Sequence, residues 1–197
     1  MVQARGKGSD MKHPASREFF GYWDEKRAGD AAPERSDLAP EEIRHLLGDT
    51  FVLSYDAAAA YPFRVAGTRV CALFGRDLKS QSFTGLFNDD SRHDVEDIVG
   101  IVAEETLATV AGVTARAADG TLAHLELLLL PFSPRSHSPV SITGMLVPFG
   151  AREAQAYSAL KDLNLTSWRH VGQERRGPRT LRKWSVVRGL TVYEGLR

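Results

Sequence analysis

The chain has 197 residues, 43% hydrophobic and 25% charged, an ordinary globular composition that excludes wholesale disorder, collagen-like repetition and coiled coil. One domain with extensions is expected at this length, large enough to bury a core without disulfides or metal. The single cysteine, Cys71, excludes a disulfide framework and a multi-cysteine zinc site.

Twenty-five basic and 25 acidic residues cancel, which argues against a nucleic-acid-coating protein. The cancellation hides an asymmetry. Residues 151–197 hold ten Lys or Arg and four Asp or Glu, a net +6, which leaves −6 on residues 1–150. A basic tail on an acidic body is expected to fold back on that body or to meet an acidic partner. Arg169, Arg175, Arg176, Arg179, Arg182, Lys183 and Arg188 alternate with Trp168 and Trp184, a pattern also compatible with nucleic acid. Gly177-Pro178 breaks it, however, and no DNA-binding motif surrounds it.

Residues 1–16 carry Arg5, Lys7 and Lys12 but no apolar stretch. They read as a flexible arm rather than a secretory leader, with Met11 as a candidate natural start. The longest apolar run, residues 125–131, is interrupted by Glu126 and falls far short of the ~20 residues of a membrane span. A cytoplasmic location is expected.

The first ordered element is expected over residues 17–28, with Ser16 as N-cap, Gly29 as stop, and Phe19, Phe20 and Trp23 at helical spacing. Pro40, followed by Glu41 and Glu42, opens a short helix whose buried stripe is Ile43, Leu46 and Leu47. Two strands follow, residues 51–55 and 63–67, with Phe63 and Val65 on one face and Arg64 on the other. Residues 68–87 break into short helical turns at Gly75 and Gly85. Caps at residues 88–91 then start a clear helix with Val95, Ile98, Val99 and Val102 as its apolar stripe. Three strands end the domain: residues 109–117, 121–130 and 140–147. The first two are joined by Asp119-Gly120, read as a type I′ hairpin turn, and the last two by a three-proline loop.

Two strands, helices, then three strands cannot make a parallel βαβ sheet. The pattern gives an α+β fold: a five-stranded antiparallel sheet with helices on one face, preceded by an N-terminal helix. A cone-shaped α+β barrel remains the alternative. The expected divisions are a flexible arm (1–16), the domain (17–150) and a basic C-terminal extension (151–197).

Tyr22-Trp23-Asp24, the connection from Pro33 to Pro40, Arg64 to Thr68, Phe74-Gly75-Arg76 and Leu127 to Pro131 together resemble a family of small bacterial single-domain PAS proteins. The resemblance spans residues 17–150, departing at Lys79-Ser80 where a small turn residue such as Gly is expected. It implies a sensory or protein-interaction module in signal transduction, frequent homodimerisation, and a sheet and covering helices able to enclose a small ligand. It names no reaction, no cofactor and no signalling partner.

A pocket between sheet and long helix would be lined by Phe74, Phe83, Leu86, Val95, Ile98 and Val102, with Val65 and Met145 from the sheet. Arg64 would either anchor an anionic ligand group or bridge to Asp24 or Asp37. Arg69 and Arg76 read as exposed. Four large aromatics on the first helix (Phe19, Phe20, Tyr22, Trp23) exceed what one narrow stripe can bury, so this helix is expected at a homodimer interface. His124 and Glu126, two apart on one strand, are the one pair suited to acid–base chemistry in the barrel alternative. His93, at the start of the long helix, is the only histidine placed to suggest a haem ligand. Cys71 lacks the motif of a flavin photosensor and reads as a small core residue.

Overall fold

The computed structural model describes residues 11–133, 141–150 and 159–171, and the backbone of a separate antiparallel hairpin, Arg182–Val187 with Leu190–Glu194. The basic positions 175, 176, 179 and 188, the side chains of Arg182, Lys183 and Trp184, and loop residues 134–140 lie outside the described residues.

Helix α1 spans Pro14–Lys26. It starts earlier than expected because His13 is the N-cap: its Nδ1 accepts the Ala15 N–H at 3.2 Å, and Pro14 fits the first turn, where its missing N–H costs nothing. Ser16, the expected cap, lies inside the helix and is fully buried. Met11 is buried as well, so residues 11–16 belong to the fold rather than to a loose arm. A linker of 3-10 turns follows, at Arg35–Asp37, Pro40–Ile43 and Leu47–Asp49. The Tyr22 hydroxyl holds it to α1, accepting from the Ala39 N–H at 2.6 Å and donating to the Ala39 carbonyl at 3.1 Å.

The main sheet has six strands, one more than expected. They are β1 (Thr50–Ser54), β2 (Phe63–Ala66), β3 (Thr109–Arg116), β4 (Leu122–Pro131), β5 (Ser141–Pro148) and β6 (Lys161–His170), in the order β2-β1-β5-β4-β3-β6. All neighbours run antiparallel. The sixth strand comes from the segment expected to be a separate basic extension. The Leu163 carbonyl accepts the Asn88 N–H at 2.9 Å, and the Leu160 N–H donates to the Leu73 carbonyl at 2.7 Å.

Two local details differ from the strict patterns. Val52 pairs with Val65 but Leu53 pairs with Phe63, which leaves Arg64 as the extra residue of a bulge. A bulge reverses the alternation, so Phe63 is buried while Val65 is 53% exposed. The β3–β4 turn is not type I′. Gly120 has φ +85° and Asp119 is not in the positive region, while the Gly120 N–H bonds the Ala117 carbonyl and the Ala117 N–H bonds Thr121. This is the three-residue hairpin, a type I turn closed by a left-handed glycine.

Helices α2 (Thr68–Phe74) and α3 (Asp89–Glu104) cover one face. Asn88 caps α3 by accepting the Ser91 N–H at 2.9 Å, and Val95, Ile98, Val99 and Val102 are its buried stripe. The other face is covered by α1, whose Phe19, Phe20 and Trp23 pack on Val110, Leu128, Leu130, Met145 and Val147. Leu127 and Leu129 point to the opposite core. A strand covered on both sides has no polar face to keep, hence the unbroken run of leucines.

Candidate functional site

Helix α3 and the sheet bring Phe74, Phe83, Leu86, Val95, Ile98 and Val102 into one packed core cluster. Aromatic rings pack its centre. Phe83 lies 5.6 Å from Phe51, 5.7 Å from Phe63 and 5.5 Å from Phe87, centroid to centroid. Gly144 serves this packing, since a Cβ there would run into the Phe51 ring.

Three residues assigned to this pocket lie elsewhere. Met145 is under α1, because odd-numbered positions of β5 face the other way. Val65 and Arg64 are exposed on β2, displaced by the bulge. Arg64 makes no hydrogen bond or ion pair among the described residues. Its suggested partners are engaged: Asp24 with Arg27 at 2.6 Å, and Asp37 with the Glu34 N–H at 2.8 Å. Arg76 is exposed as expected. Arg69 is exposed but anchored, donating twice to Asp49 (2.8 and 2.7 Å) and once to the His45 carbonyl (2.6 Å). His93 points to solvent, 83% exposed and 3.9 Å from Asp97, away from the core where a ligand to an enclosed haem would have to stand. Cys71 is partly buried against the core.

The aromatic surplus of α1 is absorbed within the chain. Phe20 and Trp23 stack at 5.9 Å, the Trp23 Nε1–H donates to the Pro131 carbonyl at 2.9 Å, and the Arg27 guanidinium lies 5.5 Å from the Trp23 ring. Phe19, Phe20 and Trp23 are buried on the chain's own sheet rather than presented to a second subunit. The expectation fails because the outer sheet face is itself apolar.

His124 and Glu126 do share a face, but their environments separate them. His124 is exposed. Glu126 is buried, and its carboxylate accepts the N–H groups of Lys12 (2.7 Å) and His13 (2.9 Å). Lys12 and His13 are thereby held on the sheet, with the His13 ring 5.8 Å from Phe149. Burial holds the His13 imidazole below its ordinary pKa, against the opposing pull of Glu126 and Asp49; Arg17 lowers it further.

Beside this contact runs a groove of about 410 Å³ between Phe149 and Lys12 on one side and Thr166 and Ser167 on the other. Gly112 forms its floor. A Cβ there would stand 2.9 Å from the Thr166 hydroxyl and 3.0 Å from that of Ser167. The sequence gives little sign of this groove, since one wall is the unexpected sixth strand. Its one trace is Glu126, a lone acid in a run of leucines.

The model of the PAS domain family matches residues 11–147, more than half of the chain, and the chain belongs to that family. No curated protein sequence matches it. Solved structures of similar shape include a light-oxygen-voltage domain studied with a flavin analogue (13% identity, 59% of this chain and 87% of that one, TM-score 0.44). Others are the LOV protein of Rhodobacter sphaeroides (14%, 59% and 70%, TM-score 0.43) and the PAS domain of a protein from Colwellia psychrerythraea (13%, 58% and 100%, TM-score 0.42). Among the described residues no helix is long and apolar enough to cross a membrane.

Proposed function

We propose that this chain is a non-catalytic sensor or adaptor of cytoplasmic signal transduction, which acts as a homodimer and passes its state to a separate signalling protein. Membership of the PAS family supports the sensory class. The observation that carries the reading beyond the family is the use of Glu126. The carboxylate best placed for acid–base work instead ties the start of α1 to the middle of the sheet. The position of α1 is thus coupled to the sheet, and through Leu128 and Leu130 to the strand that also lines the inner core. A change in that core would be conveyed to α1 and the groove beside it, which is where a partner would read it.

Native mass spectrometry of the full chain tests the assembly and any small ligand together. The expected result is a species of twice the 21.7 kDa chain mass. A monomer throughout the micromolar range would overturn the homodimer. A retained small molecule would identify what is sensed.

A further inference from the structure

A second cleft, of about 560 Å³, lies between the solvent side of α3 and the connection from β1 to β2. It is far from Glu126 in the chain and uses none of the residues of the outer-face groove. Tyr55 and Tyr61 form one wall, stacked with centroids 5.7 Å apart and planes 26° from parallel. Glu96, Asp97 and Glu104 line the other. No lysine or arginine lines it; His93, beside Asp97, is its basic residue.

Tyr61 is 6% exposed, yet it reaches the cleft and its hydroxyl makes no hydrogen bond among the described residues. Its ring is buried, while the hydroxyl opens to the cleft, where a solute can reach it. Burial raises the Tyr61 pKa, with Glu96, Glu104 and Asp97 adding to it, so the hydroxyl sits in the field of all three carboxylates. The Tyr55 hydroxyl donates to the Glu104 carboxylate, which fixes the ring and one end of the cleft.

The spacing selects the occupant. Asp97 and Glu104 are seven residues, two turns, apart on one helix, a separation of about 10 Å at 1.5 Å per residue. Gly100 between them meets nothing within 4 Å of where a Cβ would stand, so the floor is open. Carboxylates spread over two turns cannot converge on one hard cation, and among the described residues no group of three or more His, Cys, Asp or Glu is arranged to hold a metal. They suit two ammonium groups joined by an aliphatic chain, with the tyrosine faces alongside.

The geometry points to a binding site for a linear aliphatic polyamine. One ammonium lies at Glu96 and Asp97 and the other at Glu104, with an intervening amine donating to the Tyr61 hydroxyl oxygen. The site goes beyond the sensory reading and stands or falls separately from it, because none of its residues takes part in holding α1.

Calorimetric titration of the full chain with spermidine, together with amide NMR shifts, tests this. One equivalent of spermidine should bind saturably at about 0.1 M salt, with shifts confined to residues 55–61 and 93–105. Tyr61→Phe, which removes only the hydroxyl, should weaken binding at least fivefold. Glu96→Gln, which keeps an oxygen for the Thr84 hydroxyl, together with Asp97→Asn on the exposed side of α3, should weaken it at least tenfold without changing the melting temperature appreciably. Absence of saturable binding up to 1 mM spermidine would overturn the proposal, as would unchanged affinity in Tyr61→Phe. So would full displacement by 5 mM magnesium, the sign of a diffuse counter-ion effect. A peptide of residues 175–183 that binds more tightly and gives the same shifts would make the chain's own basic segment the occupant, and would overturn it too.

Discussion

Glu126 accepts the backbone N–H of His13 at 2.9 Å across 113 residues of chain, and its second oxygen takes the neighbouring N–H of Lys12. One side chain in the middle of β4 therefore pins the start of α1 to the sheet. Glu126→Gln keeps one acceptor and turns an amide donor against an N–H. A buried donor left unpaired costs about 1–3 kcal/mol. Urea unfolding should show a loss of that size, and hydrogen exchange should show faster exchange confined to residues 11–20. Uniformly faster exchange would mean that the contact supports the whole fold instead.

His13 makes this end of the protein sensitive to acid. Its native pKa lies below that of the unfolded chain, chiefly through burial. The neutral ring is thus favoured, its contribution is complete above the unfolded value near 6.5, and it is lost as pH falls through the lower native value. Protonation also removes the Nδ1 lone pair that caps α1. His13→Asn keeps a capping oxygen and does not titrate. Between pH 7.5 and 5.5 the parent should lose about 1–3 °C more in melting temperature than this variant. Parallel losses would exclude His13 as the titrating group.

Gly144→Ala should destabilise by about 1–3 kcal/mol, the usual cost of an overpacked core, because the new methyl meets the Phe51 ring. Phe51→Leu in the same chain should recover part of that loss. A double-mutant cycle by chemical denaturation reads the coupling, and strict additivity would show that the strain is relieved elsewhere.

Tyr55 should titrate well above an ordinary tyrosine, with its pKa pushed up to about 12, mainly by its hydrogen bond to Glu104. The bond favours the neutral phenol, so its stabilisation is present below pH 10 and lost as pH rises through 12. Absorbance at 295 nm should show tyrosinate appearing in distinct stages, and Tyr55→Phe should remove the last. Five tyrosines ionising together near pH 10 would rule the contact out.

Leu163→Ala should cost about 2–5 kcal/mol, the range for a fully buried leucine, because Leu163 is part of the main core. Calorimetry should then show one transition shifted downward. If β6 were an independent appendage, the main transition would stay in place.

The sequence carried the parts of the fold governed by local chemistry. Asn88 is a strong cap, the valines and isoleucine of α3 recur at helical spacing, and residues 109–117 alternate cleanly. The six core positions drawn from α2, α3 and the segment between them follow from that. What escaped depends on long-range pairing. In Lys161–His170 only Leu163 and Leu165 alternate plainly, because two register shifts against β3 scramble the rest. The bulge at Arg64 is equally invisible, since nothing local marks it. The surplus of aromatics on α1 was legible, but its destination was not. Seeing it required knowing that Met145 and Val147 face away from the inner core. The two clefts were hidden because each joins segments distant in sequence.

The sixth strand bears on how this protein avoids sticking to itself. Without it, β3 would be an outermost strand, and β3 is regular: its pairing with β4 runs from Thr109 to Arg116 with no shift of register. A regular, largely apolar edge is a template for uncontrolled strand addition. β6 exchanges that edge for one with two irregularities and charges at Lys161, Asp162 and Arg169, both recognised deterrents to further pairing. A fragment ended at residue 150, just past the end of the family match at residue 147, would strip this guard and leave Val113 without its β6 partner Leu165. Such a fragment should precipitate where the full chain stays dispersed.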